Sequence, residues 1–289
     1  MLLLTGATGR VGSALLARLV TRRAPVRCLV RDPRRLGPDR VRVQIALGDL
    51  ADPASFRHAL RGVGTVVHLA AAERDEASGT IEEIAGVATW RLLRAAEAAG
   101  ATRFVFLSPL GAVPHHRSRL HRAKSLAEDA VAGSALNATV VRSSLIYTPG
   151  DRRLSLLERL SLLPAVPVTR TMARARSQPI WAADVAECLD ALLDRDDDVI
   201  ELGGPEQMSH REVVETALAA VGRPRPLLEL PSRAVRYGLT AYAAVTGPVA
   251  FATRDEADLL AATMLTERGT ADAERLGVTP RRLVDVLGA

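Results

Sequence analysis

An unbroken apolar run, Leu2-Leu3-Leu4, opens the chain and passes through Thr5-Gly6-Ala7-Thr8-Gly9-Arg10-Val11-Gly12 into the periodic segment Ser13-Ala14-Leu15-Leu16-Ala17-Arg18-Leu19. The run predicts a strand, the glycines a tight turn, and the spacing of the leucines a helix. Apolar runs recur at 26–30, 41–46, 65–69, 103–107 and 138–142. Helical patterns separate them. One covers 53–60 with Asp52 as N-cap, one covers 81–99 and ends at Gly100, and one covers 119–132 and stops at Gly133. Strands that are apolar throughout, alternating with helices, predict a parallel sheet covered on both faces.

The rhythm loosens after about residue 151. A helix is predicted over 154–163, then the segment Pro164-Ala165-Val166-Pro167, a helix over 181–194, and a strand over 198–202 ending at Gly203-Gly204-Pro205. Ser209 caps a helix over 209–221, with Glu212 completing a capping box, and 227–230 reads as a short strand. The fold class is α/β. A Rossmann-type doubly wound parallel sheet occupies 1–150, segments around 178–204 return to it, and 151–289 forms mainly a small C-terminal lobe for substrate or partner.

Composition narrows the classes. At 289 residues the chain can bury one large core and an appended lobe, and 48% hydrophobic residues suit a soluble globular protein. The longest mostly uncharged stretch, 237–253, is broken by Gly247-Pro248 and is too short to span a bilayer. A strand beginning almost at Met1 leaves no room for a signal peptide. Cys28 and Cys188 fall in apolar settings and read as packed thiols, so a reducing, cytoplasmic setting is expected. Net charge is +5, but basic residues are scattered among acids and aromatics make up 3%, which argues against nucleic acid.

The glycine turn carries the chemistry. Gly6 permits the sharp turn, Gly9 lets backbone N–H groups approach a pyrophosphate, and Gly12 lets the helix pack close. Thr5, Thr8, Arg10 and Val11 belong to the same loop, and the helix start offers unpaired N–H groups to an anion. The second strand runs into Arg31-Asp32-Pro33. An arginine here suits the 2′-phosphate of NADP and a carboxylate suits the ribose of NAD, while a solvated basic turn would look the same. Arg31, with Arg10 able to point to the same place, favours NADP(H) over NAD(H). Asp49 can accept from an adenine amino group, with Leu50 beside it, and the small Ala70 and Ala71 let a dinucleotide cross the strand ends. No metal ligands are assigned.

With these residues in hand, the chain resembles the short-chain dehydrogenase/reductase superfamily in its extended and atypical branches, over nearly its whole length. The resemblance rests on the segments 5–12, 30–33, 48–50, 67–71, 106–112, 118–124, 141–151, 179–186 and 200–206. Within the superfamily it looks nearest to the group holding the NAD(P)H-binding accessory subunit of respiratory complex I, with the NmrA-like and isoflavone-reductase-like groups next.

The resemblance implies a Ser, Tyr and Lys site, with the last two one helical turn apart so that the ammonium lowers the phenol pKa. Ser108 and Lys124 stand at the matching places, but Leu120 stands where the tyrosine belongs. Three readings follow. Lys124 holds the nicotinamide ribose in a silent cofactor-binding protein with a structural, assembly or redox-sensing role; or Lys124 itself moves the proton; or a neighbour among His115, His116 and His121 replaces the tyrosine. Tyr147 faces the ligand edge by topology, Arg142 anchors a loop or the lobe, and Asp184 caps the helix that it opens. The leading expectation is NAD(P)(H) binding with NADPH-dependent reduction of a small enone or quinone. Nucleotide-sugar epimerisation is weaker, because it needs the missing tyrosine. A protein partner is left open.

Overall fold

Seven strands form one parallel sheet: β1 (Leu2–Thr5), β2 (Val26–Val30), β3 (Gln44–Leu47), β4 (Thr65–His68), β5 (Arg103–Pro109), β6 (Asn137–Ser143) and β7 (Val199–Leu202). Their order across the sheet is β7-β6-β5-β4-β1-β2-β3, so strand order reverses between β1 and β4. The structure, a computed structural model, describes residues 1–246 and 253–288. The Gly247-Pro248 break expected from the sequence lies outside the described residues. Among the described residues no helix is long and apolar enough to cross a membrane.

The apolar runs are explained by burial on two faces. Leu2, Leu4, Cys28, Val30, Val67, Val105, Val141 and Ile200 point to one layer, where α1 (Arg10–Thr21) contributes Leu15, Leu16 and Leu19. Leu3, Leu29, Val66, Phe104, Phe106 and Val140 alternate to the other face. There they meet Leu92 and Leu93 of α2 (Ala88–Ala98) and Ala127 and Val131 of α3 (Arg119–Ala132). Successive strand residues project to opposite faces, so a strand buried on both cannot alternate in polarity. Cys28 and Cys188 are free thiols within the first layer, and burial pushes both up to about 12.

Several local expectations shift. The third strand starts at Gln44 rather than at Val41, because 33–41 is drawn into 3-10 turns opened by the Asp32 carboxylate, which accepts from the Arg34 amide at 2.9 Å. The helix expected over 81–99 contains a π-helical turn at Glu83–Val87 before α2. Later helices include α4 (Arg152–Leu160), α5 (Ala182–Leu192) and α6 (His210–Ala220), α6 being opened by the Ser209–Glu212 capping box. Asp184 does not cap α5. It lies in the first turn, buried, and accepts from the Arg281 amide at 2.8 Å, so it ties the C-terminal segment down.

The lobe is built from α4, α6 and a parallel ladder between Val166–Thr169 and Leu227–Leu230. Its small core gathers Val166, Val214 and Leu218. The chain then returns: Ala273, Leu276 and Val278 pack into the first layer of the sheet. Residues beyond 151 therefore serve both bodies.

Candidate functional site

The carboxyl ends of β1, β4, β5 and β6 open into one cleft of about 550 Å3, the place where doubly wound sheets bind ligands. Its floor is the glycine loop. Gly6 has φ +72°, and a Cβ there would sit 2.7 Å from the Ala70 nitrogen. At Gly12 a Cβ would sit 2.0 Å from the Gly6 carbonyl oxygen. At Gly12, helix α1 is thus pressed against the loop itself. Gly9 is the N-cap of α1 and offers no side-chain cap. The first amides of a helix have no intrahelical partner, so this end presents donors and a positive dipole to the cleft.

Gly6, Thr8, Gly9, Arg10, Val11, Gly12, Ala71, Ser108 and Lys124 all line the cleft, whereas Thr5, Arg31, Asp49, Leu50 and Ala70 lie outside its walls. Thr5 is fully buried and its hydroxyl bonds His68 Nδ1 at 2.6 Å, which places it beneath the loop as support. Asp49 folds its own turn by accepting from the Ala51 amide at 3.0 Å. Arg31 reaches across to Glu76 and Ser78, both at 2.8 Å. Arg10 does not join Arg31. It turns the other way, to Glu73 at 2.6 Å and Asp151 at 3.5 Å.

At the far end, Lys124 is buried and its Nζ donates to the Leu107 carbonyl at 2.7 Å while lying 4.2 Å from the centre of the Phe106 ring. Burial, only partly offset by Glu128, pulls its pKa down to about 7. Ser108 is 2% exposed and its Oγ has no partner among the described residues. Leu120 stands one helical turn before Lys124 and lines the same cleft. Beside it are Leu145, Leu259 and Met264, so the wall above the lysine is apolar.

The histidine replacements fail on position. His121 is fully buried, outside the cleft, and stacked on His116 with ring centres 4.1 Å apart. Burial, then the neighbouring His116, pushes it down to about 3. Tyr147 is also turned away: its hydroxyl meets the Arg282 carbonyl at 3.5 Å, in the cluster under the C-terminal segment. Arg142 pairs with Glu128 of α3 at 2.7 Å and so braces the helix that carries Lys124, not the lobe.

Sequence reasoning missed Glu73, Asp151 and Arg153. Glu73 bonds both Arg10 and Arg153, the latter at 2.8 Å. Burial would raise its pKa, but Arg153 and Arg10 together hold it down at about 2. Asp151 caps α4 by accepting from the Leu154 amide at 2.9 Å. The residues present fit a dinucleotide: a bare helix start for a pyrophosphate, and at the other end a lysine beside an unpartnered buried hydroxyl.

Residues 6–196 match the family described as NAD(P)H-binding. A protein of Methylococcus capsulatus named sterol demethylase protein B is 30% identical over 256 residues, spanning 80% of this chain and 77% of its own. A (4-alkanoyl-5-oxo-2,5-dihydrofuran-3-yl)methyl phosphate reductase of Streptomyces griseus is 30% identical over 248 residues, spanning 83% and 81%. Among solved structures, the NADPH-dependent quinone oxidoreductase of Escherichia coli with NADPH superposes with a TM-score of 0.76 at 16% identity, covering 99% of this chain and 98% of that one.

Proposed function

This chain belongs to the NAD(P)H-binding family, and on that premise we propose that it is an NADPH-dependent reductase of a small conjugated acceptor, an enone or quinone. The observation that carries the reading is that Lys124, fastened to the Leu107 carbonyl, and Ser108, whose hydroxyl has no partner among the described residues, line the same cleft that begins at the glycine loop. When bound, reduced nicotinamide supplies a hydride. Ser108 and Lys124 then act as the donors that stabilise negative charge arising on an acceptor oxygen. Leu120, Leu145, Leu259 and Met264 exclude water from that end and select an apolar acceptor. Leucine at 120 cannot give a proton, so acceptors whose reduced anions are delocalised suit this site better than simple ketones. The same gap disfavours sugar epimerisation.

Preference for NADP(H) over NAD(H) is part of the proposal and rests on Arg31, the cation directly after β2. A second reading, cofactor binding without turnover, is favoured by Leu120. One experiment separates the two: NADPH and NADH affinity, followed by NADPH oxidation with quinone, enone and ketone panels. Turnover with quinones or enones supports the reductase. Tight binding with no oxidation of any panel leaves the silent protein.

A further inference from the structure

The loop after β4 carries Glu73, Asp75 and Glu76, and each of these carboxylates grips an arginine from a different element around the cleft. Glu73 holds Arg10 at the start of α1 (2.6 Å) and Arg153 of α4 (2.8 Å). Asp75 holds Arg119 at the start of α3 (2.9 Å). Glu76 holds Arg31 behind β2 (2.8 Å), helped by Ser78 on the same Nη1. The turn itself is closed by paired backbone bonds between Glu76 and Gly79 at 3.0 and 3.1 Å.

Of these arginines, Arg10 lines the cleft and Arg31 stands outside its walls, directly after β2. Arg10 stands at the helix end that faces a pyrophosphate, and Arg31 at the strand end that faces the adenosine ribose. A carboxylate and a phosphate present the same pair of oxygens to a guanidinium fork. We propose that residues 73–76 form a phosphate-mimicking strap, with Glu76 setting the choice between NADPH and NADH and Glu73 limiting affinity for both. The inference rests on the cofactor reading above.

Exchange is favoured by charge. A 2′-phosphate brought to Arg31 meets the Glu76 carboxylate, and two anions sharing one guanidinium repel, so the carboxylate leaves as the phosphate arrives. Leaving costs little, because Arg31 and Glu76 are 50% and 37% exposed and such pairs are weak. NADH carries no phosphate there, so it gains nothing from releasing Glu76. Both cofactors carry the pyrophosphate, so both compete with Glu73. The two glutamates therefore leave different signatures.

Affinities for NADPH, NADH and adenosine 2′,5′-bisphosphate are measured by titration calorimetry on the full chain and on Glu76→Gln and Glu73→Gln. Glu76→Gln should tighten NADPH and the bisphosphate about three- to tenfold and leave NADH within about twofold. Glu73→Gln should tighten NADPH and NADH by the same factor. Equal effects of Glu76→Gln on both cofactors, or weaker NADPH binding, overturn the strap while the cofactor reading stands. Binding of neither cofactor by the unaltered chain overturns the cofactor reading, and the strap with it.

Discussion

Lys124 is fastened to the Leu107 carbonyl at 2.7 Å, at the carboxyl end of the inner strand β5. A buried ammonium held by one carbonyl and one ring face is under-solvated, which is why its pKa falls from 10.5 to about 7.

That depression has a signed consequence for stability. Between about pH 7 and 10.5 the unfolded chain keeps a proton on Lys124 that the folded chain has lost, so stability rises with pH across this window. Below it the penalty is constant. Denaturant midpoints at pH 7 and pH 10 should therefore differ less in Lys124→Met than in the unaltered protein. An identical pH slope in the two proteins would show that the lysine is not depressed.

The glycine loop separates folding from binding. Gly12→Ala drives a Cβ to 2.0 Å from a backbone carbonyl and should destabilise the protein by about 2 kcal/mol or more. Gly9→Val meets only the Gly6 carbonyl, at 3.2 Å from Cβ, so it should stay folded yet lose NAD(P)H affinity by blocking the helix end. Thermal melts and cofactor titration check both. Undiminished NADPH affinity in folded Gly9→Val would place the cofactor elsewhere.

Position 120 decides the chemistry. With leucine there, NADPH oxidation by simple ketones should be absent or very slow, and quinones or enones should turn over first. Leu120→Tyr puts a phenol one turn from Lys124 and should create measurable ketone reduction. Robust ketone turnover by the unaltered protein, surviving Lys124→Ala, would mean that another group gives the proton.

Acid sensitivity follows from the buried histidines. His68, His121 and His210 are all held below 6.5 by burial, His121 to about 3 and His210 to about 4. In each the unfolded chain takes up a proton near pH 6.5 that the folded chain refuses. Stability present above pH 6.5 is thus lost as pH falls toward these lower values. His121→Leu should flatten part of that loss between pH 6 and 4, measured by urea midpoints, and an unchanged slope would contradict the assignment.

Much of the sheet was legible because buried parallel strands need apolar residues at every position, and such runs stand out. The Leu120 and Lys124 relationship was legible too, since one helical turn fixes it. Val41 misled: it reads as strand, yet it is 81% exposed and belongs to the 3-10 turns. The directions of Arg10, Tyr147 and Asp184 were not legible. Their partners, Glu73, the Arg282 carbonyl and the Arg281 amide, lie 63, 135 and 97 residues away, where no local pattern reports them. The strap escaped for the same reason, because an acidic loop looks solvated until its arginines are placed around it.

Strand β7 joins the sheet beside β6 only after the chain has passed through α4 and the first strand of the lobe's ladder. Closing so long a loop is entropically slow, and its reward arrives only when the far strand docks. The sheet edge and the lobe are therefore kinetically interlocked. Residues 152–169 of the lobe lie within the connection that brings β7 beside β6, and the nascent chain keeps that edge exposed until residues near 200 have emerged. Refolding should show a late phase in which β7 closes on β6.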